Sequence, residues 1–113
     1  MTSRKVLIID DEKDLCHLMK FFLSQMEYEV FTSYTLHDGL KMVSDVTPDI
    51  LLMDNNLPDG LGWEAISEVR SAAPGCRIIL ISAYKVAQEK SNGDNVEIME
   101  KPISLVKLQH ALG

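Results

Sequence analysis

The sequence predicts an α/β fold, an open five-stranded parallel sheet with helices on both faces, arranged as a three-layer sandwich. Three observations predict it. Short continuous apolar runs stop abruptly at polar residues, as strands buried on both faces do. Stretches with apolar residues at helical spacing separate those runs. The two patterns alternate along 113 residues, 46% of them hydrophobic, which is enough for one cored domain and too few for two. Such alternation is the sequence sign of right-handed βαβ crossovers.

The first run is Val6, Leu7, Ile8 and Ile9, stopped by Asp10 and Asp11. Behind it Leu15, Leu18, Met19, Phe22, Leu23 and Met26 fall on one helical stripe, which reads as plain core. A weaker strand is predicted over residues 28–33. Thr35, followed three places later by Asp38, marks a helix start, with Leu36, Leu40 and Val43 spaced behind it. The second strong run covers residues 49–53 and ends at Asp54. The turn after it, residues 55–60 (Asn-Asn-Leu-Pro-Asp-Gly), holds residue types that favour a fixed tight loop.

Trp63, Ile66 and Val69 make a shorter helical stripe, and residues 77–81 form the third run, ended by Ser82. Residues 85–95 carry few apolar side chains, and Gly93-Asp94-Asn95 reads as a turn, so a fourth helix there is expected to be short or irregular. A last strand over residues 96–99 leads to Lys101 and Pro102. Ser104 then caps a final helix carrying Leu105, Leu108 and Leu112.

The charge balance narrows the function. A net charge of -6 and a pI near 4.9 argue against a nucleic-acid partner, which needs a basic stripe to neutralise phosphates. The two cysteines form no CxxC pair and no ligand spacing with histidine, so reduced thiols in a cytoplasmic protein are expected. Cys16 and His17, as helix neighbours, point in different directions and do not make a metal site. The four-residue apolar run near the N-terminus is too short for a signal sequence or a membrane span, so no membrane partner is expected.

In an open parallel sheet the crossovers bring the carboxyl ends of all strands to one edge, where ligands bind. That edge should gather Asp10, Asp11, Asp54, Ser82 and Lys101. Each has an ordinary reading taken singly: Asp10 and Asp11 as helix-capping acids, Ser82 as a loop hydroxyl, Lys101 as a solvated charge, Pro102 as a turn former. Their convergence in order at one edge favours a site. Three carboxylates in one cleft repel one another unless a hard cation and an ammonium compensate, which predicts a divalent ion. Oxygen-only ligands with room for phosphate favour Mg²⁺. A carboxylate can then act as nucleophile on phosphorus, and Asp54, ending the central run, is the best candidate.

Residues 6–12 with the acidic pair, residues 54–62, Ile81-Ser82-Ala83 and Lys101-Pro102 together resemble the response-regulator receiver family across nearly the whole chain, 1–113. The resemblance implies a flavodoxin-like strand order, 2-1-3-4-5. It implies that Asp54 is phosphorylated, that Asp11, Asp54 and the backbone carbonyl of Asn56 bind Mg²⁺ with Asp10 assisting through water, and that Ser82 and Lys101 contact phosphoryl oxygens. A cis Lys101–Pro102 peptide is also expected. The implied partners are a histidine kinase or phosphotransfer protein upstream and a protein target or effector domain downstream, with a homodimer possible. In this reading the chain is a signalling domain that catalyses its own phosphotransfer and slow dephosphorylation, not an enzyme acting on a separate substrate. The family's switch aromatic on the last strand corresponds to Ile98 here, and Tyr84 is a candidate shield for the phosphorylated site.

Three other readings compete. A phosphorylation-silent receiver-like docking module is favoured by Ile98 and by the weak fourth helix. An aspartate-nucleophile phosphohydrolase would want a second aspartate two places after the nucleophile, where this chain has Asn56. Flavin binding would want a hydroxyl- and glycine-rich loop where the chain has Asp10-Asp11-Glu12. His17 or His110 as phosphocarriers have no supporting pattern.

Overall fold

A computed structural model of the chain describes residues 3–83 and 96–112; Tyr84 and the segment expected to hold the fourth helix lie outside the described residues. The described chain forms β1 (Lys5–Ile9), α1 (Lys13–Gln25), β2 (Glu29–Ser33), α2 (Leu36–Val46), β3 (Ile50–Asp54), α3 (Ile66–Ala72), β4 (Arg77–Ser82), β5 (Val96–Glu100) and α4 (Leu105–Leu112). A two-stranded hairpin, Asn56–Leu57 with Gly60–Leu61, and a 3-10 turn, Gly62–Ala65, join β3 to α3.

The five long strands make one sheet in the order β2-β1-β3-β4-β5, every neighbouring pair parallel. This is the predicted architecture and strand order. β3 is buried along its full length, as a central strand covered on both faces must be. Alternation along the strands splits the core in two. Val6, Ile8, Ile50, Leu52, Ile79 and Ile81 face α1 and α4, packing with Met19, Leu23 and Leu108. Leu7, Ile9, Leu51, Met53, Ile78 and Leu80 face α2 and α3, packing with Val43, Ile66 and Val69.

Two helix starts follow the sequence signals closely. Thr35 accepts from the Asp38 amide at 3.1 Å through its hydroxyl, and Ser104 accepts from Lys107 at 3.4 Å. α1 ends where Glu27 takes φ 70, and α2 where Thr47 takes φ 46, left-handed positions that usually favour glycine. The Tyr28 hydroxyl donates to the Leu112 carbonyl at 2.7 Å, tying α4 to the start of β2.

Two sequence expectations need correction. Leu18, counted on the core stripe of α1, is 51% exposed, and the buried line of the helix runs instead through Cys16, Met19 and Leu23. One residue is a 100° step around a helix, so a stripe centred on Met19 leaves Leu18 at its margin. Trp63 lies outside an α-helix, in the 3-10 turn, because the Trp63 amide donates to the Asn55 side chain and the Gly62 amide to the Asn55 carbonyl, which fixes that segment before α3 begins. Among the described residues, no helix is long and apolar enough to cross a membrane.

Candidate functional site

The carboxyl ends of β1, β3 and β4 and the residue after β5 meet at one edge. Asp10 follows β1 and is fully buried, Asp11 beside it is exposed, and Asp54 is the last residue of β3 and 1% exposed. Carboxylate oxygens of Asp10, Asp11 and Asp54 lie within 4.8 Å of one another. Lys101 reaches across β4 and donates from Nζ to Asp54 Oδ2 at 3.0 Å. Ser82, at the end of β4, is buried, and its carbonyl accepts from the Lys101 amide at 2.9 Å. The Lys101–Pro102 peptide is cis. A cleft of about 380 Å³ opens beside the cluster, lined by Glu12, Leu15, Lys101, Pro102 and Ile103.

The aspartates are not helix caps. Asp10 Oδ1 accepts from the Glu12 amide at 2.9 Å, ahead of the helix, and α1 begins at Lys13 without a side-chain cap. Asp10 Oδ2 is buried with no hydrogen-bond partner. A buried carboxylate oxygen in that state is costly. Burial pushes the Asp10 carboxyl up to about 6; the Glu12 amide pulls it back and the Asp54 charge pushes it further. Burial also works against the Lys101 ammonium, but the hydrogen bond and charge of Asp54 outweigh it and leave the amine raised. The pocket holds more negative charge than one lysine offsets, and its donors are all oxygens. That set fits a hard divalent cation of the Mg²⁺ kind.

Asn56 sits at the foot of the hairpin, and its amide donates to Asp54 Oδ1 at 3.0 Å, so each oxygen of Asp54 has one donor. Gly62 packs against the loop so closely that a Cβ there would lie 3.0 Å from the Asp54 carbonyl oxygen and 3.2 Å from Asn55 Cα.

Two residues of this loop carried no individual role in the sequence reading. Asn55 is buried, accepts from the Trp63 amide at 3.0 Å and donates its own amide to the Ile81 carbonyl at 2.8 Å, bracing the loop against β4. Asp59 accepts from two backbone amides of α2. The only sequence signal for either is the readiness of Asn and Asp to bond nearby backbone. Ile98 is half-buried against the α2 and α3 side of the core. Cys16 and Cys76 are free, buried thiols, and Cys16 donates to the Asp10 carbonyl.

Comparison with solved structures gives the same architecture. The CheY-like receiver domain protein of Methanospirillum hungatei JF-1 superposes with a TM-score of 0.92 at 24% identity, over 98% of this chain and 91% of its own. A two-component response regulator from Clostridium difficile gives 0.88 at 23%, over 97% and 93%. The chemotaxis response regulator CheY4 of Vibrio cholerae gives 0.87 at 24%, over 98% and 97%. The sequence itself matches the response regulator receiver domain over residues 6–113. With the match spanning nearly every residue from β1 onward, the chain belongs to the receiver domain family of two-component response regulators.

Proposed function

We propose that Asp54 accepts a phosphoryl group from the phosphohistidine of a partner kinase or phosphotransfer protein. Carrying this reading is the meeting of three carboxylates within 4.8 Å with the Lys101 ammonium 3.0 Å from Asp54 Oδ2. In the transfer, a carboxylate oxygen of Asp54 bonds to phosphorus while the bond from phosphorus to the donor's imidazole nitrogen breaks, and that nitrogen keeps the electron pair. The transition state spreads negative charge over the equatorial oxygens, so positioning and neutralisation do most of the catalytic work. Lys101 supplies one positive charge from within the chain, and the Ser82 hydroxyl supplies a donor for a phosphoryl oxygen.

Asp11, Asp54 and the Asn56 carbonyl would hold Mg²⁺, with Asp10 acting through water, and the ion when bound supplies neutralisation of the acids and of the incoming oxygens. The added dianion then changes the charge of this edge of the sheet and with it the protein contacts it makes. Buried reduced thiols are consistent with a cytoplasmic setting.

The test is incubation of the wild type and Asp54→Asn with a small phosphodonor and Mg²⁺, read by intact mass. One added phosphate on the wild type alone is the expected result. Phosphate on both proteins would move the acceptor elsewhere; phosphate on neither would leave a constitutive docking module.

A further inference from the structure

The hairpin after β3 does more than lead to α3. Leu57 pairs with Gly60, leaving Pro58 and Asp59 as its two turn residues, and Asn56 pairs with Leu61 at its foot. Both oxygens of Asp59 leave the hairpin: Oδ1 accepts from the Leu36 amide at 2.8 Å and Oδ2 from the His37 amide at 2.9 Å. These are the first two amides of α2. The third, Asp38, is taken by Thr35, and the fourth, Gly39, bonds the Thr35 carbonyl at 3.0 Å. The helix start is therefore completed half by its own neighbour and half by a residue more than twenty positions away, and a carboxylate there also meets the positive end of the helix dipole. A second contact holds the same tip. Gly60 lies against Leu36 so closely that a Cβ would come within 2.8 Å of Leu36 Cδ2.

We infer that Asp59 is a positioning residue for the acid site: it anchors the hairpin tip on α2 and so holds the Asn56 end of the hairpin beside Asp54. The inference rests on the proposed function for the role of the Asn56 carbonyl. The chain from Asp59 to the site is short and rigid, running through one two-residue turn and one pair of strand positions to Asn56, whose amide already bonds Asp54 Oδ1. Coupling of this kind is reciprocal, so an ion bound at the site must tighten the cap on α2 as much as the cap favours the ion.

The test titrates Mg²⁺ into four proteins, wild type, Asp59→Ala, Asp59→Asn and Thr35→Ala, following the fluorescence of Trp63, the only tryptophan. Amide hydrogen exchange at Leu36 and His37 is measured with and without Mg²⁺. Thr35→Ala removes a cap from the same helix without touching the hairpin, so it reports plain loss of helix stability. Groups that orient a metal ligand typically change affinity by an order of magnitude or more, so Asp59→Ala should raise the Mg²⁺ Kd about tenfold. Asp59→Asn, which keeps one acceptor oxygen, should raise it less, and Thr35→Ala should leave it unchanged. Mg²⁺ should slow exchange at Leu36 and His37 in the wild type and not in Asp59→Ala.

A wild type that binds no Mg²⁺, a Kd that Asp59→Ala moves no more than Thr35→Ala does, or exchange at those two amides indifferent to Mg²⁺ each overturns the inference. Phosphate incorporation separates the two readings. A wild type that binds Mg²⁺ with the expected Asp59 dependence but takes no phosphate leaves the clamp standing and defeats the phosphoacceptor assignment. Phosphate uptake with an unmoved Kd does the reverse.

Discussion

Two ion pairs sit at opposite ends of the same sheet, and they share little beyond their charges. At the amino end, Arg77 grips Glu97 with two parallel hydrogen bonds between adjacent strands, both side chains well exposed at 35% and 48%. At the carboxyl end, Lys101 reaches over β4 to a nearly buried Asp54, with two further carboxylates in the same cluster. The first pair is locally balanced. The second leaves net negative charge in a pocket and one carboxylate oxygen with no partner. Geometry alone would rank the bidentate arginine pair as the better bond. What marks the other end as the candidate site is the charge left uncompensated, because a fold rarely keeps such an arrangement unless a ligand completes it.

The contrast is sharpest under lysine removal. Lys101→Met should slow phosphorylation by a small donor about a hundredfold, as losing one charge from a preorganised oxyanion site does, while Arg77→Met should leave the rate where it was. Time courses of incorporation followed by intact mass decide it. Equal effects from the two substitutions would erase the distinction between the ends of the sheet.

Asp10 offers a smaller but more diagnostic effect. In protein kept metal-free with a chelator, its carboxyl titrates near 6 in the fold against 3.8 for the ordinary group. The folded state therefore binds the proton more tightly than the unfolded chain. Stability is highest below about pH 4 on this account and falls as pH rises through 6. Asp10→Asn should abolish that slope and stabilise the metal-free protein at pH 7 by about 1–3 kcal/mol, measured by urea unfolding. With Mg²⁺ the order should reverse, since the wild type gains stability from binding and the variant has lost part of the site. A variant less stable than the wild type in the chelator would mean the pocket tolerates its charge without help.

The sequence made the sheet legible because its signal is redundant. The three strong runs each hold four apolar side chains in a row, and the polar residues that stop them are the strand tips, so finding those strands and finding Asp10, Asp11, Asp54 and Ser82 were one inference, while Lys101 followed from the weaker run before it. Helix caps were legible for the same local reason: Thr35 and Asp38 are three positions apart. The bonds that crossed the chain were not. Nothing in the spacing of Asp59 tells that its oxygens close a helix starting at Leu36, and nothing about Asn55 says that it holds Trp63 out of an α-helix. Leu18 was misplaced because a period of 3.6 leaves a stripe's margin undecided until the surface the helix packs on fixes its rotation, which in this fold is the face of the sheet carrying Val6, Ile8 and Val30.

The smallest expected effect belongs to the Arg77–Glu97 pair, and its smallness completes the comparison. The hydrogen bonds from Arg77 hold the Glu97 carboxyl below its ordinary value of 4.5, with burial opposing only in part. A carboxyl lowered by folding stabilises the fold above its unfolded value, and that contribution disappears as pH falls through the folded one. Acidification from 4.5 downward through the lowered folded value should thus progressively remove whatever the pair provides, in the opposite direction to Asp10. Both partners face water, so Glu97→Gln should cost no more than about 1 kcal/mol at pH 7 in low salt, and less as ionic strength rises. A loss several times larger, insensitive to salt, would make this pair a structural clamp and charge balance the wrong criterion for telling the functional end of the sheet from the other.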